Sequence, residues 1–496
     1  MELWKSIPFA CVMLPLGSAA VTSVLRTKAA RLWCALVLLC EVGLSAFFLV
    51  RMAGYGQSYA YPMGHYSAPW GNELRAGLLE AAIALVFAVI MLLSLLGGAR
   101  RLDDQLLPDK RGLYFVMLLL MTASLMAQIY TNDIFTAYVF VEIMTISAAA
   151  LIASRAEGRT LVAAARYMIM NLIGSALFLL GIILLYDLTG HLLMPNLRAA
   201  VAELHRSGRL ELPLTVVVAL LSAGLAVKSA LFPFHTWVID AYGHSTRTSQ
   251  AILSALVSKG YILLLLKVMV RVIGLDVIRD MHVGHVLLGF GAAGMIMGSV
   301  EAIREKDIRR MVAWSSVAQI GYIYAGLGLA TEAGITAAVY QLLQHALCKS
   351  MLFIAVGGLC DGSAGSDFRS LRGAALRRPL AGAAFTLGAL SMVGIPLLGG
   401  FTAKYTLAQA AIARSAPVCW GVLAVLVLST VLNVAYFLRT VITLWRQPEE
   451  GISVEGRRLG PAAAVALAGF ILCNLAVGLG SRTVLQALRA GLDVFS

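Results

Sequence analysis

Apolar residues run along this chain in blocks of about 20, the length that carries one helix across a bilayer, and each block stops where charged or turn-forming residues gather. Fourteen blocks can be counted, at 4–25, 32–50, 76–97, 113–131, 134–154, 163–188, 212–234, 250–272, 283–303, 311–330, 334–359, 380–400, 402–444 and 461–481. The block at 402–444 is too long for one crossing. It reads either as a short piece followed by a long one, or as the end of a broken helix from about 380 to 415 followed by a whole helix from 418 to 444. No long polar interval separates the blocks, so the pattern predicts a single all-α polytopic membrane domain.

Composition sharpens this and excludes other classes. Of the 496 residues, 60% are apolar and 13% charged, against about 45–50% and about 25% in soluble chains; mean hydropathy is +0.84. A water-soluble enzyme, a disordered chain and a disulfide-stapled scaffold are therefore excluded. The formal net charge of +13 does not point to nucleic acid, because the basic residues are scattered between apolar blocks and do not form one face. The cysteines at 11, 34, 40, 348, 360, 419 and 473 include no CxxC pair and read as small buried hydrophobes, neither metal ligands nor a disulfide framework. The stretch 7–25 lacks a basic leader and a small-residue cleavage site, so no cleaved signal is expected.

Loop charges set an orientation. Loops after odd-numbered blocks carry Arg26, Lys28, Arg31; Arg100, Arg101, Lys110, Arg111; Arg155, Arg159; Arg304, Lys306, Arg309, Arg310; Arg369, Arg372, Arg377, Arg378; and Arg446, Arg457, Arg458, whereas those around 131–133 and 331–332 carry no Lys or Arg. The positive-inside bias then places the odd loops in the cytoplasm and both termini outside the cell membrane. Arg198, Arg206, Arg209, Arg271 and Arg279, read as loop charges on the other side, weaken the contrast without reversing it.

Two blocks are interrupted alike, at Lys228-Ser-Ala-Leu-Phe-Pro233-Phe-His235 and at Gly394-Ile-Pro396-Leu-Leu-Gly399-Gly400-Phe-Thr-Ala-Lys404. Proline removes a helix donor and clashes with the preceding turn. Such breaks at membrane depth are tolerated only where protein or water covers the freed backbone, and a pair of them in corresponding places points to internal repeats around an ion site.

Ionisable residues inside apolar blocks are expensive and mark function by default. Here they are Glu142, Lys228, Lys259, the pair His345 and Lys349 on one helix face, and Lys404 after the second break. Lys349 has an alternative as a snorkelling side chain, and a lone His in such a helix is often a packing residue. Glu80 reads as interfacial, and Glu41 has no partner that the sequence can name. Groups of both signs along one path suit a proton relay, in which carboxylate, imidazole and amine pass a proton on.

These residues resemble the antiporter-like membrane subunits shared by respiratory complex I, Mrp-type cation/proton antiporters and membrane-bound hydrogenases. The resemblance spans about residues 75–445. It is carried by Thr131-Asn-Asp-Ile-Phe with Phe140-Val-Glu142-Ile-Met, Phe232-Pro-Phe-His-Thr-Trp237-Val-Ile-Asp240-Ala, Ser254-Ala-Leu-Val-Ser-Lys259, Lys306-Asp307 through Trp314-Ser315-Ser316 to Gln319 and Gly321, His345-Ala-Leu-Cys-Lys349, and Gly394-Ile-Pro396 to Lys404. It implies about fourteen helices with two inverted five-helix repeats: helices one to three over 1–112, a first repeat over 113–272, a second over 283–444, and a last loop and helix over 445–496. It also implies roles. Glu142 communicates with Lys228 or a neighbouring subunit, Lys228 is the central site, Lys259 relays between the halves, His345 serves the second half with Lys349, and Lys404 is the last site before the outer side. His235 is an input or gating residue at the first break. Two departures stand out: the family's Trp-Leu-Pro-Asp-Ala reads Trp237-Val-Ile-Asp240-Ala, and its Ala-Pro-Thr-Pro turn reads Ser245-Thr-Arg247-Thr-Ser, which leaves Arg247 without an evident use. No long lateral helix is expected after the fourteenth block, and the length favours the D-type chains of Mrp antiporters or the medium-length complex I chains.

The reading is a proton-translocating subunit, with Na⁺ exchange an open alternative, working beside paralogous and small helical membrane subunits in a redox-driven complex or an Mrp-type antiporter. No redox cofactor and no metal are expected on this chain, which has neither a clustered cysteine motif, a dinucleotide fingerprint nor a P-loop. The alternative is a stand-alone secondary transporter or channel for a small solute.

Overall fold

The computed structural model describes residues 3–66, 71–208, 210–361, 363, 365–447, 459–493 and 495. Arg209, Arg457 and Arg458, used above as loop charges, lie outside the described residues.

A short 3₁₀ turn leads into α1 (Ile7–Val24) and α2 (Thr27–Tyr55); a hairpin of β1 (Tyr59–Pro62) and β2 (Glu73–Ala76), paired antiparallel, leads into α3 (Leu78–Gln105). Then come α4 (Arg111–Tyr130), α5 (Ile134–Ala153), α6 (Gly158–Thr189), the short α7 (Met194–Ser207), α8 (Glu211–Lys228) and, across the first break, α9 (Thr236–His244). One continuous helix follows, made of α10 (Arg247–Ile252), a π-helical turn (Leu253–Val257), α11 (Ser258–Lys267) and a second π turn (Val268–Ile273). After α12 (Leu275–Asp280) lie α13 (Val283–Arg304), α14 (Ile308–Gly328), α15 (Glu332–Cys360), α16 (Ala374–Arg377), and α17 (Pro379–Val393) with α18 (Gly399–Ile412) across the second break. α19 (Ala416–Trp445), α20 (Pro461–Leu479) and α21 (Ser481–Asp493) complete the chain.

Twelve of these stretches are long and apolar enough to cross a membrane, and α14 with the pair α17–α18 brings the crossings to fourteen. The second reading of 380–444 is the one the structure adopts: a broken helix, then a whole one. α14 falls short of the hydropathy of its neighbours because it carries Arg309, Arg310, Ser315, Ser316 and Gln319; it is sheltered between α13 and α15. Among the described residues only the continuous helix Arg247–Ile273 and α15 are buried along their whole apolar windows, so these two form the centre, and the other helices screen them from lipid.

Counted from α4, each half has five crossings, and the break falls in the fourth of both. Each break also holds a side-chain-bearing residue at positive φ, Ala230 at 65° and Leu397 at 76°, a conformation that costs L-residues about 1–2 kcal/mol and persists only where surrounding packing fixes it.

Some expectations change. Lys28 and Arg31 are on α2, not in a loop, because the α1–α2 connection is only Leu25–Arg26. Arg271 is no loop charge: it lies in the second π turn, 3% exposed. Glu80, in the first turn of α3, is buried beside it at 3% exposure, since the β-hairpin and α21 cover that end of the molecule. α7 occupies part of what reads as a loop, its Met194, Leu197 and Val201 face packed inward, and α21 follows the last crossing.

Candidate ion-translocation site

The first break is built around Lys228, the last residue of α8. Helix α6 passes α8 so closely that a Cβ on Gly174 would stand 2.8 Å from Lys228 Cγ and 2.9 Å from the Gly224 carbonyl oxygen; only glycine admits the lysine stem there. The Lys228 ammonium lies 3.5 Å from the Glu142 carboxylate, donates to Thr145 Oγ1 at 3.0 Å and sits 5.2 Å over the Tyr261 ring. Thr145 in turn contacts the Tyr261 hydroxyl at 3.0 Å, which is 3.4 Å from that of Tyr167. The Ser175 hydroxyl donates to Glu142. Lys228 is fully buried, whereas the Glu142 side chain is 29% exposed and looks outward from α5.

Lys259 stands next to the midpoint of the continuous central helix and is fully buried. Its ammonium donates to the Ser254 carbonyl, inside the first π turn. A π turn shifts the backbone pairing from i−4 to i−5 and is frequent at functional sites; here it turns a carbonyl toward the amine five residues on. On α15, His345 lies beside that helix's midpoint with Lys349 one turn further. Both are fully buried, and both interact electrostatically with Lys259. Lys349 donates to the Val312 carbonyl at 2.8 Å and to Ser315 Oγ at 2.5 Å. It therefore lies deep in the core of α14 and α15 and does not snorkel. Among the described residues neither ring nitrogen of His345 has a hydrogen-bond partner.

At the second break Lys404, on the second turn of α18, donates to the Val393 carbonyl at 2.7 Å and to Thr430 Oγ1 at 3.2 Å, with its ammonium 5.3 Å over the Tyr322 ring. Beyond Tyr322 lies a neutral cluster: its hydroxyl donates to Ser429 at 3.0 Å, Ser429 is 3.3 Å from Ser299, and Asn433 accepts from Tyr436 at 2.7 Å. The Gln341 amide donates to Gln319 of α14 at 2.6 Å, and that of Gln344 to Ser391 of α17 at 2.9 Å, the latter joining α15 to the second break.

His235 stands apart from these. It stacks on Phe232 at 5.2 Å and lies 5.3 Å from the Trp314 ring, at the mouth of the first break.

The structure thus brings Glu142 to Lys228 and sets Lys259 within electrostatic reach of His345 and Lys349, while among the described residues Lys404 has only neutral partners. The hydroxyls of Thr145, Ser175 and Tyr261 join the site without having stood out in the sequence. Thr145 carried a usable signal, because three residues after Glu142 it must share that helix face; Ser175 and Tyr261 arrive on other helices with no local signal. Arg247 acquires a partner: it pairs bidentately with Asp361 just beyond α15, and Arg101 of α3 binds the same carboxylate at 2.9 Å. Among the described residues no group of His, Cys, Asp and Glu is arranged to hold a metal.

Residues 131–432 match the family described as NADH:quinone oxidoreductase/Mrp antiporter, TM. The chain is 33% identical over 411 residues to the NADH-quinone oxidoreductase subunit N of Desulforudis audaxviator, covering 82% of this chain and 80% of that one. It is 27% identical to the D-type subunit of the Na⁺/H⁺ antiporter of Bacillus subtilis, covering 85% and 83%. A chain of the archaeal membrane-bound sulfane sulfur reductase, a respiratory membrane complex, superposes with a TM-score of 0.88 at 27% identity over 99% of this chain and 98% of its own. A chain of the Mrp complex of Dietzia shares the fold, with a TM-score of 0.87 at 24% identity over 100% and 98%.

Proposed function

Because the chain belongs to the NADH:quinone oxidoreductase/Mrp antiporter transmembrane family, we propose that it is a proton-translocating membrane subunit of a multi-subunit complex, passing charge along Glu142, Lys228, Lys259, His345 with Lys349, and Lys404. The observation that carries this reading is the buried Lys228 ammonium at the first break, 3.5 Å from the partly exposed Glu142. A buried ammonium is stable while its counter-charge is near, and the energetic case for keeping it in lipid is function. Glu142 looks outward from α5, where a neighbouring subunit's charge can draw it away from Lys228. The freed proton then passes through the hydroxyls of Thr145 and Tyr261 toward Lys259, crosses to His345 and Lys349 in the two wholly buried spans, and reaches Lys404. His235 serves input at the first break.

The proposal divides the chain into helices one to three over 1–112, a first repeat over 113–272, a second over 283–444, and a last loop and helix over 445–496. It seats the subunit in the cell membrane with both termini outside, since the arginines and lysines concentrate on the side where Arg101, Arg247 and Asp361 meet. Moving one charge against 100 mV costs about 2.3 kcal/mol, so partner subunits must deliver the energy, from electron transfer or from a second ion gradient. Relatives of both kinds match this chain over most of its length, one in a quinone oxidoreductase and one in an Na⁺/H⁺ antiporter.

Affinity purification of the tagged chain, followed by proton uptake measurements in vesicles holding the purified complex, tests the proposal. Co-purifying redox subunits or small antiporter subunits identify the complex, and Lys228→Ala is expected to abolish driven proton movement. A chain that purifies alone and transports a small solute, or an unimpaired Lys228→Ala complex, overturns the proposal.

A further inference from the structure

Away from the lysine axis, a second set of buried polar groups lies among α1–α4. Glu41 stands at the midpoint of α2, 0% exposed, the place on a crossing helix where a carboxyl is most expensive. Among the described residues neither of its oxygens has an oxygen or nitrogen partner; the group beside it is the Cys11 thiol of α1. One turn along α2, on the same face, Ser45 is also 0% exposed; its hydroxyl neighbours the same Cys11 thiol and has no oxygen or nitrogen partner among the described residues. Tyr130, the last residue of α4, has its ring 6.1 Å from Phe48 and its buried hydroxyl without a hydrogen-bond partner among the described residues, and it interacts electrostatically with both Glu41 and Glu80. Glu80, in the first turn of α3, lies 3.5 Å from Arg271, whose Nε and Nη2 are buried and unpartnered too. Lys267, one turn before Arg271, donates to the carbonyls of Gln128, Ile129 and Thr131 at the end of α4.

Buried polar atoms are paired in nearly all cases, so four residues in one column with open hydrogen-bonding capacity call for an explanation. Apolar packing offers none, because a methyl group would fill each position at lower cost. The column begins at the centre of α2 and ends near Thr131–Asp133, the connection without lysine or arginine. We infer that Glu41 is a proton-binding site at the membrane centre, joined to the outer face through Ser45, Tyr130 and the Glu80–Arg271 pair, and separate from the lysine axis. Protonated, the carboxyl is neutral and can remain in its apolar setting; the hydroxyls of Ser45 and Tyr130, each donor and acceptor, carry the proton on, and Arg271 provides the counter-charge for Glu80. The titratable groups facing Glu41 are Cys11 from α1 and Tyr130 from α4, with Tyr59 of β1 and Glu80 of α3 behind them; no basic side chain among the described residues pairs with it. The inference rests on the ion-translocating function proposed above for the path's direction only, and its test reads protonation and not transport, so the two can fail separately.

Membranes holding the whole complex are treated with dicyclohexylcarbodiimide, which attaches to protonated carboxyls in apolar surroundings, and the adduct is located by peptide mass spectrometry. An adduct on Glu41 is expected, diminishing as the medium is made alkaline and unaffected by Na⁺. In infrared difference spectra, Glu41→Gln should remove one protonated-carboxyl band, and Tyr130→Phe should slow hydrogen–deuterium exchange of that band about tenfold, because it takes one donor–acceptor hydroxyl out of the route by which the proton leaves. Glu41 without an adduct, protection by Na⁺, or unchanged exchange in Tyr130→Phe each overturns the inference.

Discussion

At the first break the lysine is the last residue of the helix before the interruption, 3.5 Å from a carboxylate. At the second the lysine stands on the helix after the interruption and touches a carbonyl, a hydroxyl and a tyrosine ring. The backbones are treated alike, each with a non-glycine residue at positive φ, while the electrostatics differ. Lys228 is one member of an ion pair; Lys404 is solvated by neutral groups. A site that must exchange influence with a neighbour benefits from a movable counter-charge, whereas a terminal site that passes its ion to the outer side needs only neutral ligands that let it go.

Lys228→Met and Lys404→Met should separate the two breaks most clearly. Both should cut driven proton movement, by about 10²-fold or more, as expected when a proton-transfer group is removed, but they should separate in stability. Removing one partner of a fully buried pair costs about 3–5 kcal/mol; with Glu142 29% exposed and still bonded to Ser175, about 1–2 kcal/mol is expected for Lys228→Met, recovered when Glu142→Gln is added. Lys404→Met strands no charge and should unfold close to the parent temperature. Equal destabilisation by the two, measured by thermal unfolding in detergent, refutes the contrast.

Gly394→Ala probes the second break alone. Gly394 has φ +95°, and a Cβ there would lie 3.1 Å from Lys404 Cδ, so about 1–2 kcal/mol of backbone strain should appear together with reduced proton flux. Unchanged flux would show that the position of Lys404 is not set by this turn. Thr145→Val sharpens the first half. It removes the hydroxyl between Lys228 and Tyr261 at near-constant shape and should slow proton movement several-fold, about 1 kcal/mol, with Lys228 still paired to Glu142; an unaltered rate would exclude Thr145 from the path.

The smallest effect is expected outside the membrane. Burial raises the Asp361 carboxyl, but the hydrogen bonds and charges of Arg247 and Arg101 more than offset this, so its pKa lies below the usual carboxylate range. A group whose folded-state pKa is depressed contributes its stability above the unfolded value and loses it as pH falls through the folded one. Asp361→Asn should therefore cost about 1 kcal/mol near neutral pH after allowance for screening, and the difference from the parent should vanish in acid. A difference in unfolding temperature that persists at acid pH contradicts the assignment. Arg247, standing where a proline-rich turn is usual in the resemblance read from the sequence, thus ties the start of the central helix to α3 and the end of α15 by charge.

Much of this molecule was legible without coordinates. Blocks of apolar residues fixed the crossings, since a lipid environment forces the chain to satisfy its backbone within each helix, and Pro233 and Pro396, each beside other helix-breaking or polar residues, marked the breaks because proline removes a donor and clashes with the preceding turn; Pro15 alone does not interrupt α1. Glu142, Lys228, Lys259, His345, Lys349 and Lys404 announced themselves by charge alone. Their partners did not. Thr145 against Lys228, Ser254 turned toward Lys259 by a π turn, and Asp361 around Arg247 depend on which helices lie side by side, and 60% apolar composition makes all helix faces look similar. The same ambiguity misplaced Arg271, reasonable as a loop charge until the central helix continued through it, and hid that a hairpin and a terminal helix close over Glu80 beside it. Sequence decided where the costly groups lie along each span, because hydropathy is local; only tertiary structure decided which of them meet, because pairing in a bundle is set by helix packing between residues distant in the chain.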